Sequence, residues 1–219
     1  MTIELYQKIS SLYSSENDEI TQVALIVSDL FGYSHKQVDE ISPKKFIKLS
    51  TKVTKIFKIL NKKPLFSKYK FITNAKEITL GQFIEVQHFL KEGEINAMHL
   101  VGASIWKSNK DHQLKASKLL KVNIRHILND YTLFLISFSE LLASYKGLFE
   151  QDQSELEEDA KIEKPHHFIE QFGWIYSAKQ VAQHEGISLD KAFELPILQA
   201  FNTLAYLKSE QAYQKHISK

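Results

Sequence analysis

Three groups of residues in this chain have the types and spacing that chemistry needs. The segment HHFIE sets His166 and His167 four and three residues ahead of Glu170, which on a helix would bring metal-ligating side chains to one face. Such a centre wants a second set of ligands, and the nearest pairs, His184 beside Glu185 and His126 with Asp130, do not repeat that logic. His166 and His167 therefore read first as residues of a helix start, with a helical metalloenzyme as the third-ranked functional class. Ser104 in GASIW is the nearest approach to a serine nucleophile, but it lacks the second glycine of a nucleophile elbow and falls inside a helical pattern. His88 and His99 stand among apolar residues and read as partly buried, hydrogen-bonded histidines.

The third group is cationic. Between Lys36 and Lys76 there are twelve lysines against Asp39 and Glu40, in a chain whose net charge is +2. Lys44, Lys48, Lys52, Lys55, Lys58 and Lys62 recur at three- and four-residue steps, so on a helix they line the side away from Phe46, Leu49, Val53 and Phe57. Such a row suits phosphates or an acidic partner, and it is also what the solvated face of a lysine-rich helix looks like. Only Arg125 is arginine, which removes most of the bidentate chemistry that reads guanine. Nucleic-acid binding by this row would be insensitive to sequence and sensitive to salt.

The remaining chemistry is excluded by composition. No two glycines stand close enough for a phosphate-binding loop, no Gly-Lys-Ser/Thr occurs, and with no cysteine there is neither a disulfide nor a thiolate. No catalytic residue, metal or cofactor is expected. The start, MTIELYQKIS, lacks the basic and apolar regions of a signal peptide. The most apolar stretch, Tyr131 to Leu142, is too short and too interrupted to span a membrane and reads as a buried helix. No membrane partner is expected.

The elements that must position these residues are helices, since seven Gly and four Pro in 219 residues are few for a loop-rich β protein. Helices are predicted over Ile3–Tyr13, Ile20–Phe31, a short one after Ser34, and Pro43–Leu60, with Gly32 as a stop and Ser42–Pro43 as a start. KYKFIT is a brief strand or an extended connection. Thr79 with Gln82 opens a helix closed by Gly93, and another runs from Ile95 to Trp106. Asp111 and Asp130 are candidate N-caps for two more. Glu150 to Pro165 carries seven acidic residues against two lysines, too polar to form a core, and divides the chain. Beyond it come a helix stopped by Gly186, a short capped helix from Ser188, and a long one entered through Pro196. The expected architecture is an all-α multi-helix bundle with a main body over residues 1–149, an acidic linker over 150–165 and a C-terminal helical segment over 166–219. The linker could lie on the lysine row, within one chain or across subunits.

Three stretches resemble a known family. ALIVSDLFGYSHKQVDEISPKKFIKLSTKV, ITLGQFIEVQHFL and FGWIYSAKQVAQHEGISLDKAFELPILQAFNTLAYLK are similar to tail assembly chaperones and to tail or neck structural proteins of tailed bacteriophages. The resemblance implies a non-enzymatic role in the host cytoplasm during assembly, with retention in the virion as an alternative. Helical surfaces would bind hydrophobic helices of a tail component such as the tape measure protein. Aromatic anchors for such partners would be Phe31, Tyr33, Phe46, Phe57, Trp106, Trp174 and Tyr176, and a homo-oligomer is compatible. The alternative function is a DNA-contacting virion accessory protein using the lysine row.

Overall fold

A computed structural model describes residues 1–13, 19–60, 69–149 and 167–218. The acidic segment 150–165, His166 and Lys62 lie outside the described residues, as do the side chains of Phe57, His167 and Glu170. Among the described residues the chain is all-α and holds no strand, only isolated bridges. The helices are α1 (Ile3–Tyr13), α2 (Glu19–Phe31), α3 (His35–Asp39), α4 (Pro43–Leu60), α5 (Leu80–Leu90), α6 (Met98–Ile105), α7 (His112–Leu120), α8 (Leu128–Ser144), α9 (Lys146–Phe149), α10 (His167–Glu185), α11 (Leu189–Glu194) and α12 (Ile197–Ile217).

Two compact units divide the chain: residues 1–71 with 89–132, and residues 72–88 with 133–219. The C-terminal helices therefore share a unit with 72–88 and 133–149, rather than standing apart behind the acidic segment. The physical reason is a set of contacts between residues far apart in sequence, described below for the second unit.

In the first unit, local chemistry sets the helix ends. Gly32 takes φ +71 and donates its N–H to the Ser28 carbonyl, closing α2 in a conformation that costs a side-chain-bearing residue more. Ser34 and Gln37 form the predicted capping box at α3. Helix α4 has a single apolar strip, and Leu49 and Val53 bury it among Ile9, Ile26, Val27 and Val38. Around α6 a second cluster forms, where Gly102 lets α7 and the residues after it come close: a Cβ there would lie 2.5 Å from Ile127 Cδ1 and 3.2 Å from Leu119 Cδ1. Phe71 makes one bridge to Trp106, so KYKFIT is an extended connection and not a strand. The helix expected from Ile95 begins at Met98, after turns over 94–97.

The second unit is organised on Phe83 of α5, whose buried ring meets Phe138 of α8 at 5.4 Å, Trp174 of α10 at 4.9 Å and Phe201 of α12 at 4.9 Å between centroids. Two of these contacts are edge-to-face, the geometry aromatic quadrupoles favour. Backbone bonds from Ile197 N to the Ile78 carbonyl and from Leu80 N to the Leu195 carbonyl, both 2.9 Å, fix the start of α12 beside the start of α5. Thr79 and Gln82 exchange the predicted capping-box bonds.

Three expectations fail in detail. Asp130 lies within the first turn of α8, because the 3-10 turn Ile124–His126 starts that helix at Leu128. Helix α8 is buried on one side only: Tyr131, Phe134, Phe138 and Leu141 are covered, while Leu133 and Ile136 are exposed. His88 is exposed on α5, and only His99 is partly buried. Truncation of the Phe83 ring should remove contacts to three helices at once. Phe83→Ala is expected to lower stability by about 3–5 kcal/mol in urea denaturation; an effect below about 1 kcal/mol would show that the ring is not the centre of this unit.

Candidate functional site

The clearest chemical pairing in the first unit joins α6 and α7. Ser104 Oγ lies 3.1 Å from His112 Nε2, the separation of a nucleophile and its general base. The same Nε2 lies 3.1 Å from the Leu100 carbonyl oxygen. The Ser104 hydroxyl donates to the same carbonyl at 3.4 Å, and in the tautomer with the proton on Nε2 the ring donates there too, an arrangement in which the imidazole does not act as base toward the serine. Ser104 is 2% exposed, Phe89 stacks on the imidazole at 5.2 Å, and the neighbouring Asp111 carboxylate is occupied in capping the N–H groups of Gln113 and Leu114. The pair braces α7 against α6.

A second polar cluster holds the turn before α6. Gln7 Nε2 donates to the carbonyls of Ile95 and Asn96 at 2.8 and 2.6 Å and lies 3.1 Å from His99 Nδ1. Desolvation holds the His99 imidazole below its ordinary value of 6.5, with His112 adding to the shift and Asn96 and Glu92 opposing it. Tyr131 donates to the Glu94 carbonyl, and burial, with the Glu94 charge, raises its hydroxyl. These groups anchor backbone. Among the described residues no three His, Asp or Glu side chains gather as a metal would require.

What the structure does present is surface. Lys44, Lys48, Lys52, Lys55 and Lys58 are all exposed along α4, opposite Leu49 and Val53, and the helix contains no carboxylate. Thr51 and Thr54 on the exposed side return their hydroxyls to the carbonyls of Ile47 and Ser50. Lys45 stands apart from the row, with Nζ 5.2 Å from the Tyr33 ring centroid. Among the described residues the units differ in charge: the first has sixteen Lys and Arg against nine Asp and Glu, hence +7, and the second six against eight, hence −2.

The candidate aromatic anchors do not share one surface. Phe31, Tyr33 and Phe46 are partly buried against the core of the first unit, and Trp106 packs with Tyr69 at 5.2 Å and under the Lys118 ammonium. Trp174 leans on Phe83 in the second unit. Of the seven, Tyr176 alone is shown exposed, at 45%. Phe172 and Ile175, not singled out in the sequence, are exposed beside it at 38% and 47%, on one face of α10. Their signal was present: α10 is apolar on more than one side, which a helix with a single buried stripe is not. Among the described residues, nine of the twelve exposed large apolar side chains belong to the second unit.

Compared with known protein families, curated proteins and solved structures, the chain matches none. No described helix is long and apolar enough to cross a membrane.

Two outcomes check these assignments. Ser104→Ala should cost about 1 kcal/mol as a lost hydrogen bond, and a fluorophosphonate probe should leave Ser104 of the folded protein unmodified; labelling would restore the nucleophile reading. Because folding depresses the His99 pKa, its contribution to stability is full above about 6.5 and is lost as pH falls through the folded value. His99→Gln should therefore flatten the fall in urea midpoint between about pH 7.5 and pH 5, and a variant with the wild-type slope would contradict this.

Proposed function

We propose that this chain is a non-enzymatic assembly protein of a tailed bacteriophage, which binds hydrophobic helices of a tail or virion component and keeps them soluble. The observation that carries the reading is the exposed face of α10, where Phe172, Ile175 and Tyr176 stand together at i, i+3 and i+4. Large apolar side chains left in water on one helix face are the usual mark of a protein-binding surface. An amphipathic helix laid across such a face would cover them, with the aromatic rings as anchors. The residues belong to the FGWIYSAKQ stretch that resembles phage tail proteins, which supports the phage setting.

Co-expression with the tape measure protein of a tailed bacteriophage tests the reading. Wild-type protein should raise the soluble fraction of that partner several-fold. Ile175→Asp with Tyr176→Asp should remove the gain while leaving the variant folded, since both side chains are already half in water. Equal solubility with wild type and variant would refute a role for α10.

A further inference from the structure

We propose a second activity, in the first unit: the exposed lysine face of α4 binds the phosphate backbone of duplex DNA without reading sequence. The inference goes beyond protein binding by the second unit and uses none of its residues.

The geometry is that of a backbone-tracking rod. Lys44 to Lys58 are fourteen positions apart, so the row extends about 21 Å along a single helix, with an ammonium every three or four residues. Each step advances about 4.5–6 Å along the axis. No Asp or Glu of α4 competes for these charges, and the described residues of the unit carry +7. Burial of Leu49 and Val53 in the core fixes which way the row faces, so the cations are presented outward without a further rearrangement.

The residue types select among polyanions. Lysine is depleted in the cores of protein interfaces, which rely on aromatic and arginine anchors, and among the described side chains of α4 the exposed ones besides the lysines are Pro43, Ile47 and threonines whose hydroxyls are engaged with the backbone. That disfavours an acidic protein as the occupant. Single strands are held by stacking on exposed rings, and the exposed large apolar residues described in this unit, Ile47, Ile95 and Leu114, include none. Base reading in a groove wants Arg, Asn or Gln near the start of the helix, whereas α4 begins Pro-Lys-Lys-Phe. Phosphates of a duplex remain, contacted as point charges.

Fluorescence anisotropy of the full chain with a random-sequence DNA duplex of about 30 base pairs, titrated from low to high salt, tests this. Binding should weaken linearly in log–log form with a slope of about −4 to −5, as five phosphate contacts require. Lys48→Glu, Lys52→Glu, Lys55→Glu and Lys58→Glu together should weaken low-salt binding at least about 100-fold with the helical circular dichroism unchanged. Each single Lys→Gln in the row should lower the slope by about one, which keeps the test decisive if the quadruple variant fails to fold. Lys110→Glu with Lys121→Glu, elsewhere on the same unit, should weaken binding less than about 10-fold. No binding at low salt, a loss as large in that control as in the α4 variants, or binding to polyglutamate as tight as to duplex would each overturn the proposal.

Discussion

Helix α4 has one apolar strip and a lysine at nearly every third or fourth remaining position, and the cationic surface of the first unit depends on that constraint. Once Leu49 and Val53 enter the cluster with Ile26 and Val27, rotation of the helix is settled and its lysines are committed to water. The capped turn at Gly32 and the capping box at Ser34 and Gln37 matter for the same reason, because they set the path by which the chain leaves α2 and enters α4. A different register there would bury ammonium groups at a cost that no nearby carboxylate on α4 could offset.

The second unit is built on a different principle. Phe83 collects rings from three other helices, and polar groups then fix the periphery: Glu185 accepts from Thr203 and Gln199, Tyr145 donates to Asn202, and Lys208 donates to the Gly147 carbonyl. What that core leaves outside is apolar, on α8, α10 and α12, and the unit's charge is negative. The proposed protein-binding face on α10 and the proposed phosphate-binding face on α4 therefore use different residues.

Much of this was legible because it is local. A serine or threonine three residues before glutamine, and a glycine at a helix end, act through bonds to their own neighbours, and both capping boxes and the Gly32 and Gly186 stops were readable from the residues. The lysine row was legible for the same reason, since periodicity determines a helix face. Asp130 misled because the preceding 3-10 turn, which hands the Ile127 carbonyl to Tyr131 N at 2.8 Å, starts α8 earlier than any cap signal. The division into units was not legible, since Phe83, Phe138, Trp174 and Phe201 meet only in the folded chain. Nor was the exposure on α10: aromatic type alone cannot separate Trp106 and Trp174, which are mostly covered, from Tyr176, which is 45% exposed.

Hydroxyl-radical footprinting of the chain alone and co-expressed with a phage tape measure protein, the proposed partner, tests the central claim most directly, because it reads side-chain exposure residue by residue. The account predicts that Phe172, Ile175 and Tyr176 become protected while Ile47 on α4 keeps its reactivity. Unchanged reactivity on α10, or protection at Ile47 instead, would contradict it.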